Sequence, residues 1–140
     1  MSRLYACLQK LEALRSRPIE DFLADEYLRD IAERNLEVAA QCCIDIANRI
    51  ISAESAAKPR DYYEAFIRLA EIGVLPAQFA QRFAPIAGFH SILVHEYLSI
   101  DWDEVYSRIQ NLEDLYTFSR FASEWIARRT TPSQGLQDGT

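Results

Sequence analysis

Apolar side chains recur every three or four residues along most of this chain, and this spacing predicts a series of amphipathic helices. A first helix is expected from about Ser2 to Arg15. Pro18 interrupts the pattern, and the residues from Ile19 to Asp25 are expected to form a short connector. The apolar stripe of the first helix consists of Leu4, Leu8, Leu11 and Leu14.

The longest periodic run extends from about Glu26 to Ala57 and predicts a helix roughly 45 Å long. Charged residues are interleaved with its apolar positions, so we expect one buried face and one solvated face. Lys58-Pro59 is expected to end this helix, because the residue before a proline is disfavoured in helical conformation. The predicted apolar stripe consists of Ile31, Val38, Cys42, Ile46 and Ile50.

Two shorter helices are expected next along the chain. Asp61 is placed to cap the third helix, with Glu64 three residues later in a capping box, and Gly73 is placed to end it. Pro76 suits the first turn of a fourth helix. Pro85 lies within the apolar pattern of that helix, where a proline is expected to kink or break it.

The fifth predicted helix begins at Asp101, a capping residue with Glu104 three positions later. Its apolar positions continue at helical spacing from Trp102 to Ile126. Few apolar residues follow, so we expect a disordered tail from Thr130 to Thr140. The whole pattern predicts an all-α bundle of four or five helices.

The composition is that of one ordinary soluble domain. Of the 140 residues, 49% are hydrophobic and 26% are charged. No stretch approaches the roughly 20 consecutive apolar residues of a membrane span, and the N-terminus lacks a signal-peptide core, so we expect a cytoplasmic protein. The formal net charge of −6 argues against a protein that coats nucleic acid, although it leaves room for a small basic site.

The three cysteines do not predict a metal site. Cys7, Cys42 and Cys43 lack the spaced pairs of a zinc site, and we expect neither a metal nor a cofactor. Cys42 and Cys43 are neighbours in a helical pattern, where adjacent side chains point about 100° apart and are poor disulfide partners. We expect all three to be reduced, small apolar side chains.

Both histidines of the chain fall in one short segment, as His90 and His95, and Tyr97 follows. Their spacing does not suit a pair of metal ligands on a helix, and the segment lacks a nucleophile turn. Acid–base chemistry on an RNA phosphodiester fits better. One imidazole would remove the proton of a ribose 2′-hydroxyl while a second group protonates the leaving 5′-oxygen. A purely structural role for these side chains stays open, as most helical histidines are structural.

One regular helix does not aim all three side chains at one atom. His90 and Tyr97 lie about 20° apart on the helical wheel, whereas His95 lies about 140° from His90. A helix that ends near His95 would solve this problem. A second subunit that places its own copy across a cleft would also solve it.

Four segments carry a family resemblance, at residues 33–51, 61–66, 73–75 and 87–106. Together with the order of the helices, they resemble the HEPN superfamily, and within it the HepT branch of minimal toxins. The resemblance spans nearly the whole folded part, from about residue 3 to residue 127. It implies a HEPN-like helical domain over residues 1–129, followed by the disordered tail at 130–140.

Members of that family carry an arginine, then four to six residues, then His-x-Tyr, and two copies of this motif line a cleft at a dimer interface. Many are metal-independent endoribonucleases that act as toxins. The HepT branch is paired with an MNT-type nucleotidyltransferase antitoxin that transfers AMP from ATP onto the motif tyrosine. The resemblance therefore implies that His95 is catalytic and that Tyr97 is modified. It also matches Asp45 and Arg49 on the long helix, where Arg49 supplies charge and Asp45 orients a basic group.

The chain departs from the family pattern at the motif arginine, whose place is taken by His90. Arginine is always charged and binds phosphate through a two-pronged fork, whereas an imidazole is mostly neutral near pH 7. Loss of that cation is expected to weaken stabilisation of the transition state. Arg49 and Arg82 are candidates to replace it.

Three functions stay open on the sequence alone. The first is an endoribonuclease toxin that is neutralised when Tyr97 carries AMP. The second is a degenerate dimer that keeps the fold and the nucleotidyltransferase partner but has lost catalysis through His90. The third is a nucleotide- or nucleic-acid-binding module without turnover, whose affinity would fall as salt rises.

Overall fold

The computed structural model describes residues 1–86 and 100–138 of the chain, with side chains as far as Arg129. Within these residues the fold is all-α, as the sequence predicts. The helices are α1 (Ser2–Arg15), α2 (Ile19–Ala24), α3 (Glu26–Ala53), α4 (Tyr62–Glu71), α5 (Ala77–Phe83), α6 (Trp102–Gln110) and α7 (Glu113–Asp138).

Helix α1 has the predicted bounds and packs against α3. All four leucines of its predicted stripe are buried. Burial of a leucine side chain contributes about 1.5–3 kcal/mol, so this stripe anchors α1 on the bundle. The first helix is therefore confirmed in both extent and orientation.

Helix α3 ends at Ala53, four residues before the predicted end at Ala57. Ser55 adopts a left-handed conformation with φ 55°, and the Ala56 amide donates to the Ile51 carbonyl at 3.1 Å. This is the pattern of a Schellman motif, formed here without glycine. The predicted end at Lys58-Pro59 was wrong because the left-handed residue stops the helix first.

The buried face of α3 differs from the predicted stripe. Ile50 is buried, but Ile31 is 42% exposed, and the other predicted positions, Val38, Cys42 and Ile46, are half-buried. Five of the eleven buried residues of α3 have small side chains, which suit its packing against α1. They are Ala32, Ala39, Ala40, Cys43 and Ala47.

The described residues hold seven helices rather than four or five, for two reasons. The predicted connector after Pro18 forms the short helix α2, which Phe22 anchors by packing against Trp102 and Tyr106. The predicted fifth helix divides into α6 and α7, because Asn111 leaves helical conformation and Leu112 is buried between them.

Helices α4 and α5 begin and end close to the residues that the sequence predicts. The Asp61 side chain accepts a hydrogen bond from the Glu64 amide at 2.8 Å, and Gly73 has φ 91° after the end of α4. Helix α5 ends at Phe83, two residues before Pro85. Packed phenylalanines hold these helices against α7, and they are Phe66, Phe79, Phe83, Phe118 and Phe121.

The backbone of α7 continues to Asp138, beyond the predicted start of the tail at Thr130. The structure describes no side chain after Arg129, so the disorder of residues 130–140 and the domain boundary at 129 stay predictions. Among the described residues, no helix is long and apolar enough to cross a membrane.

Candidate functional site

The structure describes two of the five predicted site residues. Asp45 and Arg49 lie on α3, one turn apart, and both are exposed. His90, His95 and Tyr97 lie outside the described residues, in the segment 87–99. The geometry of the predicted constellation is therefore known only on its α3 side.

Arg49 makes no ion pair or hydrogen bond through its side chain with any residue in the described part of the chain. The Asp45 carboxylate, one turn away, accepts a hydrogen bond from the Gln41 side-chain amide at 2.9 Å. As far as residues 1–86 and 100–129 are concerned, the Arg49 guanidinium is available to an anion, whereas the Asp45 carboxylate has a partner on α3.

Arg82, the second predicted replacement cation, has partners. Its guanidinium bonds both carboxylate oxygens of Asp114, at 3.2 and 3.3 Å, and lies over the Phe79 ring at 5.2 Å from the centroid. A carboxylate partner cancels most of the charge that a phosphate would feel. Of the two candidates, Arg49 is the one whose charge is not balanced by another residue in the described part of the chain.

Two cavities flank the exposed strip of α3 that carries Asp45 and Arg49. The larger, about 660 Å³, lies on the α4 side and is lined by Asn48, Ser52 and Lys58, among others. The smaller, about 330 Å³, lies on the α7 side. Its lining includes Ile46, Arg49, Ile50, Glu54, Trp125 and Arg129.

The smaller cavity contains an arrangement that sequence reasoning missed. Arg129 lies over the ring of Trp125, with its guanidinium carbon 4.0 Å from the ring centroid, and forms an ion pair with Glu54 at 2.8 Å. The spacing of Trp125 and Arg129, four apart on one helix, was a usable signal. Glu54 comes from the end of α3, so only the tertiary fold reveals it.

The structure confirms the prediction that the three cysteines are reduced, largely apolar side chains. All three are free; Cys7 and Cys43 are buried and Cys42 is half-buried. Burial raises the pKa of each thiol, and most strongly that of Cys43. A raised pKa keeps a thiol protonated and therefore a poor nucleophile near neutral pH.

Comparison with known families and proteins gives a consistent result. The sequence profile described as "Ribonuclease HepT-like" matches residues 4–122. The tRNA nuclease HepT of Aphanizomenon flos-aquae is 33% identical over 102 residues, which is 73% of this chain and 69% of that protein. The mRNA nuclease HepT of Shewanella oneidensis is 30% identical over 98 residues, 69% of this chain and 74% of that protein.

Solved structures show the same fold. A tri-AMPylated Shewanella oneidensis HEPN toxin in complex with an MNT antitoxin superposes with a TM-score of 0.79 at 24% identity, covering 88% of this chain and 92% of that chain. A toxin–antitoxin structure with AMP-PNP gives a TM-score of 0.77 at 24% identity, covering 86% and 92%. At this identity the likeness establishes the arrangement of helices.

Proposed function

Because the chain belongs to the HepT-like ribonuclease family of HEPN proteins, we propose that it is an endoribonuclease toxin neutralised by an MNT-type nucleotidyltransferase antitoxin. The observation that carries the proposal is the family match over residues 4–122, which includes the segment with both histidines and Tyr97. Two relatives that are 30% or more identical are RNA nucleases. We also propose that it acts in the cytoplasm, where cellular RNA is the available substrate.

In the proposed reaction, His95 removes the proton of a ribose 2′-hydroxyl, and the 2′-oxygen attacks the adjacent phosphorus. The bond from phosphorus to the 5′-oxygen breaks, and a second imidazole donates the proton that this oxygen needs. The products are a 2′,3′-cyclic phosphate and a free 5′-hydroxyl. Imidazoles serve both steps because their pKa lies close to the working pH, and the reaction needs no metal ion.

The proposal requires two protomers that share one cleft. On a regular helix, side chains at positions 90 and 95 would point about 140° apart, so a partner copy is the natural source of the second imidazole. His90 replaces the family's motif arginine, and Arg49 is our candidate for the missing positive charge. Its support is that Arg49 is exposed and unpaired among the described residues, with Asp45 one turn away to orient a basic group.

A second candidate function rests on His90 itself. A neutral imidazole does not replace a permanently charged guanidinium at a transition-state phosphate. The chain would then be a degenerate HEPN dimer that binds the nucleotidyltransferase without cleaving RNA. In this account Arg49 does not restore the lost charge.

Three purified proteins with RNA and excess EDTA test both accounts: the parent chain, His95→Ala and His90→Arg. We expect the parent to cleave and His95→Ala to lose activity by about 10²- to 10⁴-fold, the usual contribution of a general base. Cleavage that persists in His95→Ala removes His95 from the mechanism. Cleavage that appears only in His90→Arg establishes the degenerate dimer, and equal activity of the parent and His90→Arg dismisses it.

A further inference from the structure

The cavity between α3 and α7 has the size and lining of a small-ligand site. Its volume of about 330 Å³ falls within the range of natural ligand pockets, roughly 300–1,000 Å³. Ile46, Ile50 and Ala53 provide apolar walls, and the half-buried Trp125 lies opposite them on α7. Polar groups converge on it from two helices, with Arg49 and Glu54 from α3 and Arg129 from α7.

The Arg129 guanidinium is held in a fixed plane by two kinds of contact. It lies over the indole of Trp125, and two of its nitrogens bond the two carboxylate oxygens of Glu54, at 2.8 and 3.2 Å. These contacts already restrict the guanidinium, so little further conformational entropy is lost when a ligand binds. The Arg129 side chain is nevertheless 56% exposed, so the guanidinium remains accessible.

Charge distinguishes the two arginines of this cavity. Glu54 balances the charge of Arg129, which leaves that guanidinium as a flat stacking surface rather than a phosphate anchor. Arg49 has no such partner among the described residues and keeps its full positive charge. A flat, charge-balanced guanidinium and a second arginine without a described partner, both lining one cavity, match one ligand chemistry: a nucleotide whose base stacks while its phosphate is bound.

We propose that this cavity binds one unpaired base of an RNA strand, stacked on the Arg129 guanidinium, with Arg49 bound to the neighbouring phosphate. The inference rests on the proposed function in that RNA is the ligand. Stacking on a plane tolerates all four bases, so this subsite selects single-stranded RNA over duplex rather than a particular sequence.

A probe that is bound but not cleaved separates this subsite from catalysis. A short single-stranded 2′-O-methyl oligoadenosine lacks the 2′-hydroxyl nucleophile, and an abasic oligomer of equal length has the same backbone without bases. Fluorescence anisotropy with labelled forms of both probes measures the affinity of each variant. We expect the parent to bind the oligoadenosine more tightly than the abasic oligomer.

Trp125→Leu should weaken binding of the oligoadenosine about tenfold and leave the abasic oligomer nearly unchanged, since stacking one base contributes about 1–3 kcal/mol. Arg129→Gln should weaken the oligoadenosine about tenfold more than the abasic oligomer, because it removes the stacking plane and also leaves the Glu54 carboxylate without its partner, which disfavours both probes. Arg49→Gln should weaken both probes and reduce the salt dependence of binding by about one phosphate contact. Arg120→Gln is the matched control, because Arg120 lies over Phe121 on another part of the same helix and its loss removes the same charge.

The subsite and the proposed function fail in different ways. If the parent cleaves RNA but Arg129→Gln and Trp125→Leu bind both probes like Arg120→Gln, the subsite is refuted and the ribonuclease stands. If the parent does not cleave RNA but prefers the base-containing probe through Arg129, the subsite stands without the enzyme. Retained binding of the abasic oligomer by Arg129→Gln and Trp125→Leu would show that each variant is folded, so loss of folding would not explain a selective loss of base binding.

Discussion

Glu33 is a half-buried carboxylate on α3 whose ionised form is disfavoured in the folded protein. Burial raises its pKa above the usual value near 4.5, and the neighbouring Glu37 and Asp30 raise it further. Between the unfolded and folded pKa values the folded state binds more protons, so the free energy of unfolding falls as pH rises through that window. At neutral pH the ionised Glu33 side chain therefore lowers the free energy of unfolding.

We expect Glu33→Gln to raise the melting temperature by about 1–2 °C at neutral pH, a small effect because the side chain is partly solvated. The gain should vanish near pH 3, where the carboxyl is protonated in both states. Scanning calorimetry at the two pH values measures it. Glu124→Gln, which removes an exposed carboxylate on α7, is the control. A gain of equal size at both pH values would contradict the argument.

The candidate site shows how far single residues can be interpreted from sequence. The exposure of Asp45 and Arg49 on α3 follows from their helical positions, and the structure confirms it. Whether an arginine is free or paired is a tertiary property. Arg82 and Asp114 are 32 residues apart in sequence, and nothing in the local pattern indicated their ion pair.

At the scale of elements, the C-terminal end of α3 is strained by a serine where glycine fits better. Ser55 has φ 55°, a conformation that costs a residue with a Cβ about 1–2 kcal/mol. Ser55→Gly should therefore raise the free energy of unfolding by about 0.5–1 kcal/mol, after the entropy that glycine loses on folding. Denaturant titration measures the change.

Ser52→Gly is the matched substitution on the other side of the helix end. Ser52 is exposed within the last turn of α3, where glycine is a poorer helix former than serine. We expect it to lower the free energy of unfolding by about 0.5 kcal/mol. If both variants shift stability in the same direction, the left-handed conformation of Ser55 does not limit α3.

The starts of α4 and α6 were predictable because a capping side chain acts on nearby residues. Tertiary packing decided the break between α6 and α7 and the buried face of α3. Asp61 and Asp101 cap α4 and α6 through bonds to amides two or three residues away. The division at Leu112 was not predictable, since apolar spacing continues across it and only burial of Leu112 in the bundle favours the break. The buried face of α3 was missed in part because four of its eleven buried residues are alanines, which carry a weak hydrophobic signal.

For the whole molecule, the proposed RNA binding by an acidic chain requires a local site. The net charge of −6 repels an RNA backbone at long range, so in this proposal the affinity would depend on a few exposed cations such as Arg49. The same reasoning explains how one added group would silence the proposed toxin. In this proposal, an AMP on Tyr97, two residues from His95 in sequence, would add a bulky anion that repels the substrate phosphate and blocks access.

Incubation with an MNT-type nucleotidyltransferase and ATP should raise the intact mass of the parent chain by one or more AMP groups and abolish its RNA cleavage together. Tyr97→Phe should lose the first AMP and stay active in the presence of the antitoxin. Tyr63→Phe, which alters a tyrosine that is 49% exposed on α4, should behave like the parent.

If Tyr97→Phe is modified as fully as the parent, Tyr97 is not the acceptor. If AMP attaches to Tyr97 while cleavage continues undiminished, the added anion does not block the cleft, and neutralisation must come from binding of the antitoxin itself.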